Sequence, residues 1–155
     1  MGQFAADTSV SVERSRAEIE RTIQRYGADS FGYGWESGKA VVMFQAHARR
    51  IRFVLELPSE TDDAFWLTAT GRARTEKAAY EAWEQACRQR WRALNLVIKA
   101  KLEAVEANIS EFEDEFMAHI VLPNGTTFGD WARPQIDESY KQGTMPPMLQ
   151  IGPAS

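Results

Sequence analysis

The chain has 155 residues, of which 44% are hydrophobic and 26% are charged, and these values are ordinary for a single water-soluble globular domain. The one cysteine, Cys87, rules out an intrachain disulfide, and the two histidines do not show the spacing of a zinc site. No apolar run approaches the roughly 18 residues of a membrane span, so the sequence predicts no membrane association. The single cysteine favours a reducing, cytoplasmic location.

The formal net charge of −4 is unevenly distributed along the chain. Residues 44–101 carry 11 basic and 7 acidic side chains, whereas residues 102–155 carry 2 basic and 9 acidic side chains. Solvated surface charge is the simplest interpretation. The asymmetry is also typical of a polyanion-binding face, or of two complementary surfaces in an oligomer.

The N-terminal segment predicts a short strand followed by a helix. Residues 8–13 alternate as an edge strand does. Ser15 and Glu18 match a capping box, which predicts a helix over residues 16–26. Gly27 then occupies the position at which a C′ glycine ends a helix.

Two β-hairpins give the clearest pattern in the sequence. Aromatic residues alternate with glycines from position 31, and a turn at positions 37–38 sets Tyr33 opposite Val42. A second hairpin with a four-residue loop sets Phe44 opposite Phe53, so that both registers place the large apolar residues on one face. The opposite face then carries Gly32, Gly34, Val41, Met43, Gln45, Arg52, Val54 and Glu56.

A fourth strand is predicted over residues 65–70, and a long helix follows it. Thr75 is the predicted N-cap, and apolar residues then recur every three or four positions to about residue 108. The members of this stripe are Tyr80, Trp83, Cys87, Trp91, Leu94, Ile98, Leu102, Val105 and Ile109. A helix of roughly 48 Å outruns a four-stranded sheet. The half that begins at Leu94 therefore needs another partner, which is either the C-terminal segment folding back or a second subunit, and we expect a homodimer.

The C-terminal region predicts two shorter helices and a tail. Ser110 and Glu113 match a second capping box, and residues 128–140 are weakly helical. The sequence as a whole predicts an α+β fold in which an antiparallel sheet of about four strands packs on one long helix, with an N-terminal helix and a small helical C-terminal region. We expect residues 1–142 to form one domain and residues 143–155 an extended tail.

Two segments carry a resemblance to a known family. RRIRFVLELP at positions 49–58 and AYEAWEQACRQRWRALNLVIKAKLEAVEANI at positions 79–109, with MPP at 145–147, resemble small uncharacterised proteins encoded by bacteriophages and prophages. The resemblance implies a viral or prophage origin and expression inside a bacterial host. It implies no activity, so no functional residues are carried over.

A protein-interaction module is the function that the sequence favours. A small phage protein of this kind would bind a host or phage protein, in a host-takeover or anti-defence role. The candidate contact residues are two apolar side chains on the open face of the sheet and a run of carboxylates after the long helix. They are Met43, Val54, Glu111, Glu113, Asp114 and Glu115.

Single-stranded nucleic acid binding is the alternative, because an open sheet with basic loops is a common platform for single strands. His47, or Tyr33 if the faces are inverted, would stack on bases, and arginines would neutralise phosphates. The candidate residues are His47, Arg49, Arg50, Arg52, Arg72, Arg74, Arg88 and Arg92.

An enzyme is the third possibility, and the sequence argues against it. No phosphate-binding loop, nucleophile motif or metal-ligand spacing is present. We therefore expect no catalytic residue, no metal and no cofactor.

Overall fold

The computed structural model describes residues 10–145, and it describes their side chains from Val12 onward. The elements follow the order of the chain: helix α1 (Val10–Arg25), strands β1 (Ser30–Glu36), β2 (Lys39–Ala46) and β3 (Arg49–Glu56), helices α2 (Asp63–Trp66), α3 (Glu76–Glu106) and α4 (Phe112–Phe116), a 3-10 turn (Met117–His119), and helix α5 (Phe128–Gln142). The predicted α+β class, with an antiparallel sheet and one long helix, is confirmed.

The sheet has three antiparallel strands in the order β1-β2-β3. The first hairpin has the predicted register, with Tyr33 opposite Val42. The predicted register of the second hairpin is wrong by two residues, because Phe44 lies opposite Ile51 and not Phe53. Since side chains alternate with a period of two, a two-residue shift leaves every side chain on its predicted face.

The second turn explains this difference. It contains only His47 and Ala48, whose φ angles of 51° and 59° are both in the left-handed region. Such a two-residue turn normally contains glycine or asparagine at these positions, which this one lacks. The sequence therefore offered no sign that the loop is so short.

The predicted fourth strand is wrong. Asp62 caps the short helix α2 with its carboxylate, which accepts a hydrogen bond from the backbone N–H of Ala64 at 3.0 Å. Beyond that helix the chain forms only an isolated bridge between Leu67 and Ala73. The run FWLTAT at positions 65–70 favours a strand in the sequence because so short a run has no periodicity that separates a strand from a short helix.

Neither predicted capping box begins a helix. Helix α1 already includes Val10, so Ser15 lies inside it, and the part of the predicted edge strand that is described is helical. At α4 the N-cap is Glu111, which makes no side-chain capping bond. The caps at Thr75 and Gly27 are as predicted: the Thr75 hydroxyl accepts from the N–H of Ala78 at 3.1 Å, and Gly27 has a φ of 95°.

The inner face of the sheet packs on α1, α3 and α4 to form the main core. This core contains Val12, Ile19, Ile23, Ala40, Val42, Phe44, Ala46, Ile51, Phe53, Leu55, Trp91, Leu94, Ile98, Leu102, Phe112 and Phe116. The predicted apolar stripe on the second half of α3 is therefore covered by the protein itself. Of the two predicted partners of this half, the C-terminal segment that folds back is the one present, because Phe112 and Phe116 of α4 pack on it.

The first half of α3 is the part that extends past the sheet. Its buried residues Trp83 and Cys87 form a separate cluster with Leu57 and Phe65, which come from the segment between β3 and α3. The indole N–H of Trp83 donates to the carbonyl of Pro58 at 2.8 Å and ties this segment to the helix.

The C-terminal region docks on the outer edge of β3. The backbone N–H of Val121 donates to the carbonyl of Arg50 at 2.8 Å. Helix α5 packs closely on the 3-10 turn, since a Cβ on Gly129 would lie 2.8 Å from the carbonyl oxygen of Ala118. The left-handed Gly143 ends α5, and most of the predicted tail lies outside the described residues.

Candidate interaction face of the sheet

The outward side of the sheet, here called the outer face, is arranged in four rows across the three strands. The pairing of β1 with β2 and of β2 with β3 places one residue of each strand in every row. The rows are Ser30-Gln45-Arg50, Gly32-Met43-Arg52, Gly34-Val41-Val54 and Glu36-Lys39-Glu56. The face therefore changes from basic at one end, through an apolar middle, to mixed charge at the other end.

The apolar middle of the outer face is open to solvent. Met43 is 38% exposed and Val54 is 51% exposed, so none of the described segments covers them. On the adjoining strand, a Cβ built on Gly32 or Gly34 would meet no heavy atom within 4 Å. The two glycines thus leave a low area beside a raised apolar ridge.

The basic end borders a shallow cavity of about 250 Å³. It is lined by Ser30, Gly32, Met43, Phe44, Gln45 and Arg50. The Arg52 guanidinium is held beside it by a hydrogen bond to the carbonyl of Gly125 at 2.9 Å. The other end of the face is partly neutralised, because Lys39 lies 3.4 Å from Glu56.

Two of the predicted nucleic-acid residues, at the second turn, contact helix α4. The Arg49 guanidinium donates to the carboxylate of Glu113 on α4 at 3.0 Å. The His47 ring stacks on Phe112, with centroids 4.4 Å apart and 26° between the planes. Both side chains join the second turn to α4, so they are turned away from the outer face.

The remaining predicted arginines lie on other surfaces. Arg72 and Arg74 follow α2, which packs on α3 near the end of β3, whereas Arg50 lies near the start of that strand, about 20 Å away along it. Arg88 and Arg92 line a separate cleft of about 230 Å³ between α1 and α3. Only Arg50 and Arg52 of the predicted set share the outer face.

The acidic candidates are also divided. Glu113 pairs with Arg49, and the carboxylate of Glu115 lies 3.6 Å from the Lys101 ammonium group, with both side chains about three-quarters buried. Glu111 and Asp114 remain exposed. The run from Glu111 to Glu115 therefore serves in part to dock α4 onto α3 and the second turn.

The lone Cys87 is a buried structural residue in the second cluster. Burial, with the neighbouring carboxylates of Glu60 and Glu84, raises the pKa of its thiol to about 12. A thiol with so high a pKa is almost entirely protonated at neutral pH and is a poor nucleophile.

His119 is a titratable residue in the 3-10 turn, and the sequence pattern predicts no function for it. Its ring stacks on Phe53 at a centroid distance of 4.0 Å, between β3 and the C-terminal region. Burial lowers the pKa of His119, and the nearby cations of Lys101 and Arg133 lower it further. A hydrogen bond with the Arg52 backbone and the carboxylate of Asp130 act in the opposite direction.

The lowered pKa of His119 predicts a loss of stability in mild acid. The neutral ring is favoured in the folded protein, so stability is full above the unfolded pKa of about 6.5 and falls as pH drops through it toward the folded pKa. We expect wild-type protein to unfold at lower urea concentration at pH 5.5 than at pH 7.5. His119→Phe keeps the stacking on Phe53 and should reduce this difference. An equal pH dependence in both proteins would contradict the prediction.

Comparison of the chain with protein-family models, curated proteins and solved structures gives no match, so the resemblance to phage-encoded proteins stays a prediction. Within residues 10–145, no group of three or more His, Cys, Asp or Glu side chains is placed to hold a metal ion. Within the same residues, no helix has both the length and the hydropathy needed to cross a membrane.

Proposed function

We propose that this is a non-enzymatic interaction protein of phage origin, which acts inside the bacterial host and binds a host or phage protein through the outer face of its sheet. The observation that carries the proposal is the apolar middle of that face, where the exposed Met43 and Val54 lie beside the half-buried Val41 and two glycines. Contiguous exposed apolar surface bordered by charge is typical of protein-binding sites.

The charges at the edge of the outer face define the kind of partner. Arg50 and Arg52 flank the apolar middle on one side, and Arg guanidinium groups favour bidentate contacts with carboxylates. The partner we expect presents an apolar anchor side chain with an acidic residue next to it. The glycines on β1 would accommodate the anchor because no side chain rises there.

Binding of single-stranded nucleic acid receives less support from the geometry. The aromatic residues of the three strands are Phe31, Tyr33, Trp35, Phe44 and Phe53, which lie on the other side of the sheet from the outer face. A face without aromatic side chains lacks the stacking platform that such proteins use. Two arginines alone supply only a weak, salt-dependent attraction to phosphates.

Val54→Glu tests the proposed site directly. The substitution places a charge in the apolar middle of the outer face, and an exposed position tolerates it without unfolding. We expect a specific host or phage protein that wild-type bait captures to be lost, with at least a tenfold increase in dissociation constant. Affinity capture with quantitative mass spectrometry, followed by calorimetry with the purified partner, measures this.

Tyr140→Glu is the matched control, because Tyr140 is 86% exposed and lies on α5, away from the sheet. It should bind as wild type does. A partner that binds Val54→Glu and wild type equally well would contradict the proposed site. Salt-sensitive binding of labelled single-stranded DNA that is abolished by Arg50→Ala would favour the alternative function instead.

A further inference from the structure

Helix α3 has a second apolar stripe on its surface, separate from the stripe that is buried in the core. Leu96 is 60% exposed and Val97 is 45% exposed, near the middle of the helix. Ala93 and Ala100, one turn to either side, are also exposed. These four residues follow the spacing of three and four that defines one face of a helix.

The protein's own elements lie beside this stripe and leave it uncovered. On one side α1 packs against α3, where the side-chain amide of Asn95 donates to Glu18 at 3.2 Å. On the other side α4 packs against α3, where Lys101 donates to the carbonyl of Glu115 at 3.0 Å. The stripe between them faces solvent among the described residues, and it lies in a different layer from the outer face of the sheet.

The charges beside the stripe change sign along the helix. Arg92 lies on the flank next to α1 at the start of the stripe, Lys99 lies on the same flank just past Val97, and both are exposed. Glu103 and Glu106 continue the same flank toward the end of the helix, and both are exposed. In an antiparallel pair of identical helices related by a two-fold axis, a flank of one helix lies beside the same flank of the other helix, which runs in the opposite direction.

We infer that a second copy of this chain packs on the stripe in antiparallel orientation, which makes the protein a homodimer through α3. A two-fold axis near Val97 stacks the Leu96 and Val97 side chains of the two copies and places Arg92 beside Glu103 of the second copy. Parallel packing about a two-fold axis would set this flank against the opposite flank of the second copy, so Arg92 would not meet Glu103. The two Arg92–Glu103 pairs flank the apolar centre and are self-complementary, as a two-fold interface requires, whereas the two Lys99 residues lie roughly 6 Å apart along the axis and oppose the contact.

Small side chains continue the stripe toward both ends of α3. From Ala86 to Ala107 the helix is about 32 Å long at 1.5 Å per residue. Alanine recurs along it at Ala86, Ala93, Ala100 and Ala107, every seventh residue. Small side chains at that spacing let two helices approach to the shorter end of the usual 8–10 Å interaxial range.

Leu96→Glu tests the interface by sedimentation equilibrium. We expect wild type to be a dimer at micromolar concentration and Leu96→Glu to be monomeric, with at least a hundredfold weaker association and an unchanged circular dichroism spectrum. Val54→Glu is the matched control, since it also charges an exposed apolar residue but lies on the outer face of the sheet, and it should remain dimeric. A monomeric wild type at 200 µM overturns the inference.

Charge reversal tests the antiparallel orientation. Arg92→Glu and Glu103→Arg should each weaken the dimer about tenfold, because each creates two like-charge contacts, and the double variant should restore it. Failure of the double variant to recover overturns the proposed register. Because these measurements involve no other protein, they are independent of the proposed partner on the sheet.

Spin labels on Gln89→Cys give a direct distance. In the antiparallel pair the two labelled positions lie roughly 25 Å apart along the helix axis, whereas parallel packing brings them within about 10 Å. The native Cys87 is fully buried and does not compete for the label. A short distance between labels overturns the antiparallel arrangement.

Discussion

Trp91→Ala is expected to lower the free energy of unfolding by about 3–5 kcal/mol, as measured by urea denaturation. Trp91 is 0% exposed and is the largest fully buried side chain. Its ring lies 5.5 Å from that of Tyr33, at the point where α3 meets the sheet. Alanine would leave a cavity in the middle of the main core, and the surrounding elements can collapse into it only in part.

Trp91→Phe separates the contribution of volume from that of the polar N–H group. Among the described residues, no acceptor lies within hydrogen-bonding distance of the Trp91 indole nitrogen. A buried donor without a partner costs about 1–3 kcal/mol, and phenylalanine removes that cost. We therefore expect Trp91→Phe to lose half as much stability as Trp91→Ala, or less. Equal losses in the two variants would contradict this view of the core.

Phe116→Ala is the second large effect, again with an expected loss of about 3–5 kcal/mol. Phe116 is 0% exposed and meets Phe44 and Phe53 edge-on, at centroid distances of 5.8 Å and 6.3 Å. It is the main side chain through which α4 is anchored to the sheet. Since α5 reaches the rest of the protein through the 3-10 turn after α4, we also expect faster amide hydrogen exchange in α5 than in β2.

Ile109→Ala is the matched control for Phe116→Ala. Ile109 lies just before α4 but is 80% exposed, so its truncation should change stability by no more than about 0.5 kcal/mol. If Phe116→Ala changed the unfolding midpoint as little as Ile109→Ala does, α4 would not be part of the main core.

The strands and the long helix were predictable because their signals are local. The alternation from Phe31 to Trp35 identifies a strand and also states which face is buried. The apolar stripe does the same for α3. Its members from Trp83 to Leu102 are buried, whereas Tyr80 before them and Val105 after them are not. Even the two-residue error at the second hairpin left Met43 on the predicted face, since the period of a strand is two.

The candidate site was predictable only in part. Its apolar centre follows from the alternation that places Met43 and Val54 on the outer face. Its charged border does not, because Arg49 and Arg50 are adjacent in sequence and yet serve different surfaces. Arg49 finds Glu113, 64 residues further along the chain, and no local pattern records such a pair.

The sequence by itself determined the three strands and the long helix, the side on which each is buried and the apolar centre of the outer face, because these depend on residues two to four positions apart. Only the tertiary structure decided which half of α3 is covered, which arginines remain on the outer face and which stripe of α3 stays exposed. Those outcomes depend on where helices α1 and α4 dock, and docking joins groups that are distant in sequence through the packing of Phe112 and Phe116.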